Sequence, residues 1–362
     1  MGLSVKWDIT YKCNLNCGHC INGSFLNNKQ DEISLLDIKN IINKFSKIKT
    51  EYVHLLGGEP TFRKDFVDVC NFFKEKNINF GFNTNGLNLM TPKIKDVMFN
   101  ESLRNIVFSL EGPTAEINDG IRGKNVFDIV VDNIKKIVDI KDANKLNNLV
   151  ITVNTVVSKQ NYNYIIDMID FCISLGVNEF NLLQLIEDGN AKDKNLKISD
   201  EEELDLVKNI ALKYTTIKDK IKINPKFVMP IVVDYCEKMF DLEFPKYAHG
   251  CGAGTTFCFL NNKGELFPCD RYVDLTRKSM SCEQNSLLNN EFYTIWDNEI
   301  FSQPFELTEG MNYYGKYTPC NRCDHLQKDC FPCIVFGLNE ESHNVDCCTK
   351  YFEILEKNNK EH

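Results

Sequence analysis

Three cysteines near the N-terminus constrain this chain more than any other feature. The segment Cys13-Asn14-Leu15-Asn16-Cys17-Gly18-His19-Cys20 spaces its thiols as Cys-x3-Cys-x2-Cys. Three thiolates on one short loop can hold three irons of a four-iron, four-sulfur cluster, which normally takes four cysteines. With three local ligands, the fourth iron stays open to a small molecule. The alternatives are a zinc site or three buried thiols. Zinc needs a fourth ligand, and His19 would reach it awkwardly from inside the loop. The chain has sixteen cysteines in 362 residues, ten of them between 251 and 348. In a small secreted protein they would read as disulfides. This chain is long, and Met1-Gly2-Leu3-Ser4-Val5-Lys6 has no signal-peptide hydrophobic region. Clustered free thiols in reducing cytosol bind metal, so a cytoplasmic location is expected.

The first 190 residues alternate strand-like and helix-like segments. Strands are expected at Val5–Ile9, Tyr52–Leu56, Ile78–Phe82, Leu103–Leu110, Leu149–Val157 and Phe180–Ile186. Helices are expected at Leu35–Phe45, Phe66–Lys74, Val126–Ile140 and Tyr164–Leu175. Such alternation implies βαβ units and a parallel sheet. Six units suit an incomplete, curved α/β barrel, since a closed one needs eight. The expected division is a barrel at 1–198, a helical bridging segment at 199–250 and a cysteine-rich domain at 251–362. Ser199-Asp200-Glu201 can cap a helix running to about Tyr214. The last region has few periodic apolar runs and is expected to fold around metal, with a C-terminal helix.

The Cys-x3-Cys-x2-Cys loop after a first strand resembles the radical S-adenosylmethionine (SAM) enzymes, whose fold is a partial (β/α)6 barrel. By that resemblance, the open iron chelates the amino and carboxylate groups of SAM. Reductive cleavage then yields a 5′-deoxyadenosyl radical that takes a hydrogen atom from substrate. Further segments match in order. Gly57-Gly58-Glu59-Pro60 resembles the family's GGEP motif, with Glu59 near the methionyl ammonium. Asn83, in Asn-Thr-Asn-Gly, closes the third strand. Ser109 precedes Leu110-Glu111-Gly112, where the family often has Leu-Asp-Gly, and is a candidate for the carboxylate or ribose. Arg122 is a candidate carboxylate clamp. Asn154, Gln184 and Leu185 occupy positions that contact ribose or adenine in relatives.

The later cysteines resemble the SPASM extension, which carries two auxiliary four-iron clusters. Cys251-x12-Gly264-x4-Cys269 is followed by Cys320-x2-Cys323-x6-Cys330-x2-Cys333, then Cys347 and Cys348. Two of the later gaps differ by one residue from the usual pattern, with their sum unchanged. Carried over by position, one cluster takes Cys251, Cys258, Cys269 and Cys333. The other takes Cys320, Cys323, Cys330 and one of Cys347 or Cys348. The cofactors expected are therefore SAM and three [4Fe-4S] clusters. Paired zinc sites are the alternative, since Cys-x2-Cys knuckles also form them.

SPASM enzymes mostly modify peptides or proteins. The main expectation is maturation of a ribosomally made peptide by a crosslink such as a thioether, or a related oxidation. A second reading is an anaerobic sulfatase-maturating enzyme forming formylglycine from Cys or Ser. It rests on Asp270, which follows Cys269 where that family has its catalytic base. A third is a small-molecule dehydrogenase. The partners expected are a peptide or protein substrate, a flavodoxin or ferredoxin electron donor, and a separate leader-peptide recognition protein or the barrel rim itself. The net charge of −9 argues against nucleic acid as the main partner. No apolar run approaches the ~18–20 residues that would span a membrane.

Overall fold

The computed structural model describes residues 2–27, 32–245, 252–273 and 281–298, with 301, 315, 319–326, 328, 330, 348–349 and 351 beyond them. All six expected strands form: β1 (Leu3–Thr10), β2 (Thr50–Gly57), β3 (Asn79–Thr84), β4 (Leu103–Ser109), β5 (Val150–Val157) and β6 (Glu179–Gln184). They lie side by side in chain order, each parallel to the next. The expected helices follow as α1 (Leu35–Ser46), α2 (Phe66–Glu75), α4 (Phe127–Ala143) and α5 (Ile165–Ser174), and a short α3 (Ala115–Arg122) precedes α4.

The sheet continues past the sixth strand at both ends. The segment read as wholly helical contains α6 (Asp200–Ile217) and α7 (Pro230–Phe240), but also β7 (Lys222–Pro225), which pairs parallel with β6. At the other edge β8 (Phe257–Leu260) joins β1 in parallel, and β9 (Leu266–Phe267) turns back on it. Among the described residues, the sheet order is β7-β6-β5-β4-β3-β2-β1-β8-β9. The cysteine-rich region is thus bonded into the barrel sheet at its start.

Strand alternation sorts the two faces. Val5, Trp7 and Ile9 of β1 point to the helices and join the apolar core with Val53, Leu55, Phe80, Phe82, Ile106 and Phe108. Trp7 meets Phe45 of α1 edge-on, with ring centroids 6.1 Å apart. Phe66 and Phe73 of α2 pack on Phe82 and Phe80. α1 presents Ile38, Ile41, Ile42 and Phe45 as one buried stripe, and a Ser34–Asp37 capping box fixes its start. The concave face takes the other parity. It carries Lys6 and Asp8 on β1, Tyr52 and His54 on β2, and Asn83 on β3. A row of register partners, Ser109–Asn154–Asn181–Asn224, crosses β4 to β7. Interiors of closed α/β barrels are filled by bulky branched residues. This concave face is mostly polar.

Candidate active site

The cysteine loop leaves β1 at its C-terminal end, where β-strand ends in α/β barrels place chemistry. Hydrogen bonds to its backbone tie it to three other segments. Gly18 N–H donates to Ile121 O at the end of α3, and Asn190 N–H donates to Cys20 O. Asn27 and the Cys13 backbone bond each other twice. Asn190 Nδ2 donates to Cys17 O and Asn16 Oδ1. Cys17 is buried, and Cys13 and Cys20 are half-buried. Burial pushes all three thiols up, Cys20 to about 11, and each sits within electrostatic reach of another. The Arg122 guanidinium opposes that shift at all three.

Next to the loop, the chain makes a turn that only glycine fits. Gly57 has φ 128°, and a Cβ there would lie 2.0 Å from Thr10 O. A Cβ on Gly58 would lie 2.3 Å from Lys12 O. The close approach lets Gly58 and Glu59 N–H donate to Thr10 O and Lys12 O, each at 2.8 Å. β2 is thereby stitched to the cysteine loop. Pro60 opens a short 3-10 turn, where its missing N–H costs nothing. Glu59 is fully buried. Its Oε1 accepts from Thr61 N (3.1 Å), Thr61 Oγ1 (2.6 Å) and Thr84 Oγ1 (2.9 Å), and its Oε2 accepts from Asn85 N (2.6 Å). Burial still raises its pKa against those four bonds.

Sequence reasoning chose Asn83 from the Asn-Thr-Asn-Gly run. In the structure Thr84 and Asn85 hold Glu59, and Asn85 Nδ2 also reaches Asn14 Oδ1 in the cysteine loop at 2.7 Å. Asn83 instead faces the concave side and accepts from His54 Nε2 at 2.7 Å. The apolar alternation of Phe80 and Phe82 carries that signal, because residue 83 must take the opposite parity.

Glu111 is the other organising carboxylate. Its Oε1 lies 3.0 Å from Arg122 Nη1 and 3.3 Å from His19 Nε2, and Oε2 accepts from Val156 N at 2.8 Å. Burial opposes its charge, but His19, Arg122 and the Val156 N–H together hold its pKa below the ordinary value. Glutamate in place of the expected aspartate joins β4, β5, α3 and the cysteine loop. Arg122 is buried, and desolvation is overcome by Cys17 and Glu111, which keep it charged. Its Nε is buried without a hydrogen-bond partner, and the Cys17 thiol approaches its carbonyl at 3.9 Å.

Three loop thiols, a stitched glycine turn and a buried guanidinium with a spare N–H fit a cluster bearing a carboxylate ligand. A four-iron cluster takes its thiolates at separate irons. Among the described residues, no three His, Cys, Asp or Glu side chains close around a single ion.

The remaining expected positions divide. Ser109 ends β4 beside Asn154, and Asn154 Oδ1 accepts from Asn181 at 2.8 Å. Gln184 ends β6 on the parity of Phe180 and Leu182, and Leu185 is buried just after it. Cys258 pairs with Val5 and shares the core parity of Leu260, so it lies buried in the apolar core. Cys269 follows β9, and Asp270 starts a short 3-10 turn. That turn lies close enough to Asp8 for the Asp270 charge to raise it. Cys320, Cys323, Cys330 and Cys348 are half-buried. Cys251, Cys333 and Cys347 lie outside the described residues.

Residues 7–172 match the profile of the radical SAM superfamily. The chain is 25% identical over 356 residues to mycofactocin maturase MftC of Mycolicibacterium smegmatis, covering 95% of this chain and 82% of that one. It is 25% identical over 339 residues to AdoMet-dependent heme synthase of Methanosarcina barkeri, covering 91% and 90%. Among solved structures, Streptococcus suis SuiB bound to precursor peptide SuiA superimposes with a TM-score of 0.71 at 19% identity, covering 94% of this chain and 74% of that one. No described helix is long and apolar enough to cross a membrane. Residues 7–172, which hold the cysteine loop after β1 and the glycine turn after β2, form a radical SAM domain.

Proposed function

We propose that this enzyme is a peptide maturase that modifies a ribosomally made substrate inside the cytoplasm. The observation that carries the reading is the concave face, which is polar and opens beside the cysteine loop. Similarity to a named maturase over nearly the whole chain supports it, as does the fold shared with a SuiB structure that holds a precursor peptide. Cys13, Cys17 and Cys20 would hold the SAM-binding cluster, and the Arg122 Nε–H would meet the SAM carboxylate. Glu59, locked by Thr61, Thr84 and Asn85, would accept from the SAM ammonium; Asn83, Ser109, Asn154 and Leu185 would flank the ribose and adenine, whereas the helix-facing parity of Gln184 weighs against its expected contact. When bound, cluster and SAM supply a 5′-deoxyadenosyl radical that takes a hydrogen atom from the substrate.

In the same reading two auxiliary clusters use Cys251, Cys258, Cys269 and Cys333, and Cys320, Cys323, Cys330 with Cys347 or Cys348. The Val5–Cys258 pairing weighs against Cys258 as a ligand. Asp270 would take the substrate proton as hydrogen is removed. Its nearness to Asp8, on the barrel's inner wall, favours that role and keeps sulfatase maturation as a second reading. A flavodoxin or ferredoxin would supply the electron.

The test is anaerobic incubation of the iron-reconstituted enzyme with SAM, a reductant and the short peptide encoded beside its gene. A mass change in the peptide, with one 5′-deoxyadenosine per event, is expected. Cys13→Ala/Cys17→Ala/Cys20→Ala should abolish both and leave roughly eight irons per chain. Peptide that stays unmodified while a sulfatase peptide acquires formylglycine would move the assignment to the second reading.

A further inference from the structure

Three side chains form a hydrogen-bonded line on the concave face. Tyr52 Oη lies 2.9 Å from His54 Nδ1, and His54 Nε2 lies 2.7 Å from Asn83 Oδ1. The line has one direction. An amide oxygen can only accept, so His54 carries a proton on Nε2. The ring is neutral near pH 7, because burial above all pushes it down to about 4. Nδ1 is therefore bare and accepts from the Tyr52 hydroxyl, whose own pKa burial pushes up. Gly81 makes room for this line. It sits opposite His54 in the β2–β3 register, inside a strand, where glycine marks a close approach by another group. A Cβ there would lie 2.0 Å from Tyr52 Oη and 2.8 Å from Asn105 O. The Tyr52 hydroxyl fills the space that a side chain at 81 would take. Asn83 is the next residue of that parity along β3, and His54 reaches it diagonally across the strands.

The line ends in an unused donor. Asn83 Oδ1 is taken by His54, while its Nδ2 donates to nothing among the described residues. Both atoms belong to one planar amide, so fixing the oxygen also fixes where the N–H2 points. Asn83 is half-buried, and that N–H2 is not sealed in the core. The next two residues, Thr84 and Asn85, hold Glu59. The unused donor therefore sits one residue from the clamp on the carboxylate that would accept the SAM ammonium.

We propose that Tyr52 and His54 are positioning residues that hold the Asn83 amide with its N–H2 toward SAM, where it donates to an acceptor of the adenosyl half. The acceptor is a ribose oxygen or an adenine nitrogen. Tyr52 sets the His54 tautomer, and the tautomer sets the amide. Without His54 the amide is free to turn over and present its oxygen, which donates to neither acceptor. The proposal rests on the SAM-binding reading above and does not depend on which substrate is modified.

The test has two readouts on the iron-reconstituted enzyme under anaerobic conditions. The first is nitrogen NMR of the enzyme made with labelled histidine. The chain has six histidines, and the signal missing from His54→Gln assigns His54. The parent should show a bare Nδ1 and a protonated Nε2, and Tyr52→Phe should let both tautomers populate. A parent ring protonated on Nδ1 overturns the proposal. The second readout is SAM affinity by equilibrium dialysis. Asn83→Ala and His54→Leu should each weaken it about fivefold, the order that one neutral hydrogen bond carries. Because His54 acts through Asn83, His54→Leu/Asn83→Ala should bind no more weakly than Asn83→Ala. His54→Gln, whose amide offers an N–H to Asn83 and an oxygen to Tyr52, should keep most of the affinity. SAM analogues lacking the 2′- or the 3′-hydroxyl name the acceptor: the Asn83→Ala loss vanishes with the analogue that lacks it, and persists with both if adenine accepts. Iron content and melting temperature check each fold, and Tyr52→Phe carries the test by tautomer and affinity if His54→Leu does not fold. Parental affinity in His54→Leu, or additive losses in the double variant, overturns the positioning role and leaves the SAM reading standing. A parent that binds no SAM overturns both.

Discussion

Glu111→Leu tests whether the site is organised by one carboxylate. The substitution strands Arg122, a buried cation whose Nε already has no partner. Removing one partner of a buried ion pair costs about 3–5 kcal/mol, and the orphaned Val156 N–H adds about 1–3 kcal/mol. Replacing both charges is far milder, because apolar residues of similar volume often match a buried pair in stability. Glu111→Leu/Arg122→Met should therefore be more stable than Glu111→Leu alone, with a coupling on the order of 3 kcal/mol. Urea unfolding of the apo chains under reducing conditions measures all four corners of the cycle. The acid limb gives an independent check. Glu111 has a folded pKa below its unfolded value of 4.5, so its contribution is present above 4.5 and lost as pH falls through the folded pKa. The parent should lose stability over that acidic window, and the double variant should lack this component. Additive single effects, within about 0.5 kcal/mol, would refute the idea that Glu111 and Arg122 act as a pair.

Two further outcomes follow from the geometry. Asp8→Asn should stabilise the chain at pH 8 by up to roughly 4 kcal/mol, from a pKa raised from 3.8 to about 7. The native state binds the extra proton between those values, so parent stability falls as pH rises through that window; thermal melts should show the variant's advantage shrinking towards pH 4, and an advantage that grows on acidification would contradict it. Gly58→Ala places a methyl 2.3 Å from Lys12 O, so the turn must move off the cysteine loop. 5′-Deoxyadenosine output should fall at least about tenfold, a barrier change of about 1.4 kcal/mol, and an Ala variant with parental output would show that the stitch is dispensable.

The six strands were legible because each carries apolar residues at strand spacing, bounded by turn residues. β7 was not, since Lys-Ile-Asn-Pro offers one core side chain and a proline, and only the edge of β6 makes it a strand. The short α3 hides behind a polar sequence with a glycine inside it. Motif spacing located the glycine turn and the cysteine loop, yet it could not say which residue of Asn83-Thr84-Asn85 would touch Glu59. That depended on strand parity and on where the chain turns. Cys258 illustrates the same gap. Resemblance to the SPASM pattern made it a cluster ligand, while alternation with Leu260 puts its side chain among Val5 and Trp7 in the core. Asp8 drew no notice in the sequence because Trp-Asp-Ile reads as ordinary strand. Its significance comes from its burial and from Asp270, 262 positions later, approaching the same wall.

That approach has a structural cause. β8 pairs with β1 over Ser4–Trp7, and β9 folds back on β8, so Cys269 and Asp270 emerge beside the strand that carries Lys6 and Asp8. The helix-facing side of the sheet holds the apolar core that stabilises the barrel. The concave side is correspondingly free to carry lysines, asparagines and carboxylates, whose cost is limited by their mutual hydrogen bonds. One strand, β1, therefore couples three things: it leads directly into the cysteine loop, contributes to the concave face and anchors the start of the cysteine-rich region. A displacement of β8 along β1 would shift Asp270 relative to Asp8 and alter the charge on the concave face. The parallel pairing at Val5–Cys258 and Trp7–Leu260, sealed by core burial on one face, holds that register.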